Sequence, residues 1–373
     1  MAWLLAIVFF FSSQPYFLWK YGEATNAIII LGCIVCCFVS KVNNKKRLWS
    51  ILLFGIFYFY ATIHQFFDVN IYARMLTLFP VLVFLVNEEE WKHIYDKYSF
   101  IYIYTIIPSL IIYLLVFWLS VDVPYSIISP LNTEKSFNYY AYPFLVMPDT
   151  LESIRFHGLY DEAGVVGNIS GVLLVVNRCN MKNWKNWGLL LSGIFSFSLF
   201  FYIIVTIYIL IFSSVKVKFA VFSVVFILCT FLLVDENPFS KLVLARLEVG
   251  DDGTWSGNNR TLESFDSFWS KFLNSSRFLY GYGRLYADFK ADPGGQSYKH
   301  LIVDFGIIMF LCYIISFVFY YCSYKLSRKC LMLLLIILCS ILFQRPFIFN
   351  LIYIFLLVSP APVLKAQELK NCK

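Results

Sequence analysis

Apolar stretches of membrane-crossing length recur along this chain, and no other feature narrows its fold so far. They cover residues 2–19, 26–40, 48–67, 71–86, 98–119, 163–177, 219–234 and 300–322. A helix needs about 20 apolar residues to cross a bilayer, within a range of roughly 17–25. Composition agrees: of 373 residues, 60% are hydrophobic and 14% charged, with 40 Phe, 26 Tyr and a mean hydropathy of +0.71. Soluble domains carry about 25% charge, and one of this size would leave large apolar patches in water. A soluble enzyme, a disordered chain and a nucleic-acid-binding domain are thereby excluded. The first stretch has no Lys or Arg ahead of it and no small-residue cleavage site, so it is expected to stay as a first helix.

Two longer blocks, 187–212 and 330–361, are each flanked by basic residues on both sides. One span per block would put one basic cluster outside. A turn near Ser196-Phe197-Ser198 in the first block, and at Gln344-Arg345-Pro346 in the second, keeps all clusters inside. Pro ends helices readily, and an Arg inside an apolar block must turn to a polar site. The reading is an all-α, polytopic membrane protein with about 12 transmembrane helices and both termini cytoplasmic. Its expected parts are five helices in 1–119, a long outside loop at 120–161, helices 6–9 in 162–234, a second outside loop at 235–299, and helices 10–12 with a cytoplasmic tail in 300–373. Seventeen of the 30 basic residues then lie in inside segments and three in short outside turns or helix ends, the rest being in the two long loops. The net charge of +7 is mainly an orientation signal. None of the ten cysteines falls in an outside loop, which suits an oxidising compartment. Cys33, Cys36 and Cys37 lie in an apolar helix without a His and read as packing residues.

Polar chemistry gathers in the outside loops and at helix mouths. In the second loop, Leu262, Phe265, Phe268, Trp269, Phe272 and Leu273 recur at helical spacing between polar residues. This predicts an amphipathic helix, either lying on the outer membrane face or covering a small core of the loop's own. No nucleotide loop, zinc signature or nucleophile elbow is present, and no metal is expected. Gly281-Tyr282-Gly283 reads as a turn, and Asp251-Asp252 as solvated carboxylates.

Three arginines stand out: Arg155 ahead of the helix at 163, Arg260 after Gly257-Asn258-Asn259, and Arg284 after the Gly-Tyr-Gly turn. A guanidinium offers paired planar donors that match phosphate oxygens and keeps its charge. His300, in Lys299-His300-Leu301-Ile302-Val303-Asp304-Phe305-Gly306, can accept a proton near neutral pH. His157, Asp304 and Arg345 are secondary candidates.

Together these features resemble the superfamily of O-antigen polymerases and O-antigen ligases. The shared pattern is many membrane helices, an Arg155-x-x-Gly158…Glu162 segment before a central helix, and a late outside loop with Arg, Gly-x-Gly and His-x3-Asp-x-Gly. The resemblance implies a GT-C-like glycosyltransferase of the bacterial inner membrane that acts on the periplasmic side with no cofactor. Its donor would be a growing glycan on undecaprenyl diphosphate. Its expected partners are lipid-linked oligosaccharide as donor and acceptor, membrane lipids, a chain-length regulator and a flippase, with no nucleic acid. By the same resemblance Arg155 and Arg260 hold diphosphate, with Arg284 beside them. His300 stands first and Glu162 second as the base for the acceptor hydroxyl. Lys299-His300 departs from the His-Asn of many relatives, whereas Glu162-Ala163-Gly164 is nearer the polymerase form. The implied function is O-antigen polymerase in lipopolysaccharide biosynthesis. The alternatives are an O-antigen ligase and, from another class, a lipid-linked oligosaccharide flippase.

Overall fold

A computed structural model of the protein describes residues 1–39, 47–66, 76–130, 137–218, 223, 263–291 and 297–371. The expected span 219–234 apart from residue 223, most of the second outside loop, Arg260 and Asp251-Asp252 lie outside the described residues. The described chain is mostly helical. Three helices are long and apolar enough to cross a membrane: Glu88–Trp118 with 31 residues, Tyr298–Ser323 with 26 and Leu351–Lys370 with 20. Shorter apolar helices accompany them, so the described residues form a helical, membrane-type protein.

The first helix, α1 (Ala2–Ser12), is shorter than the expected 2–19. Its 11 residues rise only about 16 Å, about half of a ~30 Å hydrocarbon core. The cause is local: the Ser12 and Ser13 hydroxyls donate back to the carbonyls of Phe9 and Phe10. Gln14 then takes φ 55°, and Pro15 has no N–H to continue the helix. After α2 (Gly22–Val39), α3 (Leu48–Ile63) and the short α4 (Phe79–Phe84), helix α5 (Glu88–Tyr113) begins ten residues before the expected 98. Glu88, Glu89 and Glu90 fill its first turn, where the helix dipole favours carboxylates. Glu88 also pairs with Arg47, and residues 88–97, ahead of the expected span, are wound into the helix. A π-helical turn, Leu114–Trp118, continues α5.

The segment expected as the first outside loop corrects the purely helical expectation. Strands β1 (Ser126–Ile128), β2 (Tyr139–Tyr142) and β3 (Leu145–Pro148) form an antiparallel sheet in the order β1-β2-β3. Tyr140 faces Ile127 on one side and Met147 on the other. Aromatic and β-branched residues suit such a half-buried pleat. Val146 N–H donates to the Gly158 carbonyl at 2.8 Å and the Tyr139 hydroxyl to that of Asp161 at 2.7 Å. The sheet thereby fixes the Arg155–Asp161 segment before the next helix.

Both long apolar blocks are broken. Helix α6 (Ala163–Val176) is followed by α7 (Trp184–Phe195) and α8 (Leu199–Phe212), which meet at Ser196-Phe197-Ser198. Phe197 turns with φ 48°. In the segment expected as the second outside loop, α9 (Glu263–Leu273) is the amphipathic helix, followed by α10 (Arg277–Tyr280). Phe265 and Phe272 are buried with Ala287 of the loop and with Ile302 and Val303 of the helix that follows, so α9 covers a small core shared between the two. Helix α11 (Tyr298–Ser323) comes next, then α12 (Arg328–Gln344), α13 (Leu351–Val358) and α14 (Pro360–Asn371). The break after α12 falls at Arg345-Pro346, and Asn350 caps α13 by accepting from Ile352 N–H at 3.2 Å.

The bundle is held by aromatic packing. Phe54 of α3 stacks on Phe84 of α4, ring centroids 4.3 Å apart, and Tyr313 and Phe317 of α11 close around it. Lipid tails are as apolar as these rings, so close packing drives helix association here more than the hydrophobic effect does. The Tyr58 hydroxyl, buried in the same region, donates to the Ile348 carbonyl and ties α3 to the break after α12.

Candidate functional site

The site is built on a break in α11. Gly306 has φ 76° and ψ 164°, which interrupts the helix eight residues after its start. A helix broken here leaves carbonyls without their partners one turn on. The turn at Gly281-Tyr282-Gly283 supplies new ones: Tyr282 N–H donates to the Val303 carbonyl and Gly283 N–H to that of Asp304, both at 2.9 Å. Gly281, at φ 78°, lies against Gly306. A Cβ on residue 281 would overlap the Asp304 carbonyl, and one on 306 the Leu279 carbonyl. Only glycine fits such a contact and tolerates the positive φ.

From that turn the chain runs past α3 and around Asp304. Arg284 N–H donates to the His64 carbonyl at 3.0 Å, and Phe66 N–H donates to the Arg284 carbonyl at 3.2 Å. Asp304 Oδ2 accepts from Leu285 N–H and Oδ1 from Ala287 N–H, each at 2.9 Å. A π-helical turn, Ala287–Ala291, follows, and Asp288 Oδ1 comes to 3.7 Å from His300 Nδ1. Phe265 of α9 packs its ring 5.4 Å from that imidazole.

These residues line a cavity of 340 Å³. Its polar wall is Arg284, Asp288, His300 and Asp304, with Ser12 and Gln14 from the end of α1, and its other wall is the Pro346–Leu351 segment. His300 and Asp304 are only 6% and 7% exposed. The Arg284 guanidinium lies 3.8 Å from the centre of the Phe349 ring. Burial pushes its pKa down from the usual arginine value, opposed by Tyr58 and Asp304; an arginine stays cationic nonetheless. Among the described residues, Arg284 Nε has no hydrogen-bond partner and no carboxylate lies within ion-pair distance of the guanidinium. A half-buried cation with an unused Nε donor, facing a cavity beside a histidine, is suited to an anion with planar oxygens.

The remaining sequence candidates sit elsewhere. Glu162 is ion-paired with Arg345, and Arg345 reaches it across Gly164, whose lack of a side chain leaves the room. Neither residue lines the cavity, although Arg345 directly precedes the segment that walls it. Arg155 donates from Nε to the Ser196 carbonyl at 3.2 Å, at the turn between α7 and α8. His157 is buried against the sheet, 6.2 Å from the Tyr139 ring. Arg260 lies outside the described residues. The structure thus brings Arg284, His300 and Asp304 together, while Arg155, His157 and Glu162 lie apart from them. Lys299 is drawn away by Asp266, 2.6 Å from its Nζ.

Sequence reasoning missed Asp288, Gln14, Ser12 and Asn350 as parts of this cavity. Asn350 carries a signal, a capping residue just ahead of an apolar run. Asp288 carries none, because its partner is reached across a loop. Among the described residues, no cluster of His, Cys, Asp and Glu could hold a metal ion, and their cysteines are all free thiols. Comparison with known proteins gives no match: no family model, no curated protein and no solved structure is significantly similar to this chain.

Proposed function

We propose that the chain is an O-antigen polymerase: a GT-C-like glycosyltransferase of the bacterial inner membrane, working at its periplasmic face in lipopolysaccharide biosynthesis. The observation that carries this reading is the half-buried cation Arg284 facing one cavity with His300 at the mouth of a long apolar helix. The donor is a glycan on undecaprenyl diphosphate, and the acceptor is the sugar of a second lipid-linked repeat unit. An acceptor hydroxyl attacks the anomeric carbon, forming a C–O bond as the bond from that carbon to the diphosphate oxygen breaks. His300 takes the hydroxyl proton, with Asp288 facing its Nδ1. The electron pair leaves on the diphosphate, where charge builds in the transition state, and Arg284 stabilises it from a fixed position. Arg155, which lies apart from this cavity, and Arg260 are the further arginines that the resemblance offers for the diphosphate. Glu162, held by Arg345, has the weaker case as base.

A lipopolysaccharide gel from a deletion strain, complemented with the wild-type or Arg284→Ala chain, tests this. Deletion and variant should both give glycans one repeat long, and wild type should restore the ladder. An unchanged ladder in the deletion strain would sink the reading. Long glycan stranded on its carrier would mean a ligase, and repeat units held on the cytoplasmic side would mean a flippase.

A further inference from the structure

We infer that Asp304 is a positioning residue: its carboxylate clamps the backbone of 285–287 and so sets Arg284 and His300 on the same cavity. The inference rests on the proposed glycosyltransferase reading for its functional consequence, and on geometry alone for the clamp.

The two carboxylate oxygens accept one N–H each, from Leu285 and Ala287, at 2.9 Å. Arg284 directly precedes the first of these residues, and Asp288, which faces His300, directly follows the second. One side chain therefore fixes both ends of the segment that carries the cavity's polar groups. Among the described residues Asp304 has no ion-pair partner within reach, so what favours this nearly buried carboxylate is the backbone it holds, helped by the charge of Arg284 nearby. A second observation points the same way. Leu285 sits at φ 70°, a left-handed conformation that a branched apolar residue keeps only when its surroundings enforce it. Its N–H is one of the two that Asp304 holds. Asparagine is not equivalent to aspartate here, since its amide has one acceptor oxygen and would turn N–H donors toward an N–H.

Hydrogen exchange read by mass spectrometry, on the full chain in nanodiscs, tests the clamp directly. Asp304→Asn should speed exchange at the Leu285 and Ala287 amides at least tenfold. Asp304→Glu, which keeps both acceptor oxygens, should restore part of that protection, and Arg284→Ala should leave it unchanged. In cells, Asp304→Asn should shorten the glycan ladder as Arg284→Ala does. Wild-type protection at those amides in Asp304→Asn would overturn the clamp. So would a full ladder in Asp304→Asn where Arg284→Ala has lost it. A full ladder in Arg284→Ala instead removes the glycosyltransferase reading of this cavity and leaves the exchange result to decide the clamp. If Asp304→Asn does not accumulate, the wild-type chain decides: both amides should exchange at least a hundredfold slower than in an open chain, and unprotected amides would overturn the inference.

Discussion

Glu162, the residue just ahead of α6, is ion-paired with Arg345, the residue that closes α12. The pair joins the segment after the small sheet to the segment that walls the cavity, and both charges are partly buried. Glu162→Gln and Arg345→Gln should each cost about 1–2 kcal/mol, between the values for exposed and buried pairs. The double variant should be no less stable than the worse single one, as thermal melts in detergent would read. Additive losses would mean that the two residues act separately. A loss of activity in Glu162→Gln that Arg345→Gln does not share would assign Glu162 to the chemistry.

Gly281 and Gly306 make the sharpest steric prediction. Alanine at either meets a backbone carbonyl and adopts a positive φ, which by itself costs roughly 1–2 kcal/mol. Gly281→Ala and Gly306→Ala should therefore lower the melting temperature and shorten the ladder. Gly55 is the control: a Cβ there meets nothing within 4 Å. Gly55→Ala in the interior of α3 should be neutral or stabilising by up to about 1 kcal/mol. Equal behaviour of the three variants in a melting series would contradict the close contact.

Arg284 separates charge from geometry. Arg284→Lys keeps the charge but loses the planar fork of donors that stacks on Phe349. Its activity should fall at least tenfold, closer to Arg284→Ala than to wild type, while stability changes little. Near-normal turnover in the lysine variant would show that charge alone suffices.

Two phenylalanines anchor α9, whereas its last leucine does not. Phe265 and Phe272 are buried and Leu273 is 44% exposed. Phe272→Ala should cost about 3 kcal/mol, within the usual range for a buried ring, and Leu273→Ala less than about 0.5 kcal/mol. Limited proteolysis of the loop reads the difference. Equal protection in the two variants would place α9 on the membrane face instead.

Much of the helical order was legible because it rests on local chemistry. The breaks at Ser196-Phe197-Ser198 and Arg345-Pro346 follow from charge placement and from proline, both visible in sequence. The early end of α1 was harder to see, since it depends on two serine hydroxyls turning back on the helix. The sheet was missed because its strands are only three or four residues long, too short for an alternating pattern. At the site, the Gly-x-Gly and His-x3-Asp-x-Gly segments were visible as separate motifs. That the glycines touch and that Asp304 holds backbone could not be read, because those contacts cross between segments. Arg284 came from its residue type and the turn before it, whereas the Phe349 ring beneath it lies on a distant helix connection.

The break at Gly306 also means that the start of α11 is held in two ways. Residues 298–305 form a short helical block whose carbonyls and carboxylate bond to the 281–287 segment, while its Leu301 and Phe305 side chains pack in the core of the bundle. His300 and Asp304 therefore ride on a block gripped from two sides, by loop backbone and by bundle side chains. Local opening of the 281–287 segment would release one grip and not the other: Arg284 and Asp288 would leave the cavity together, and His300 would stay behind with the bundle.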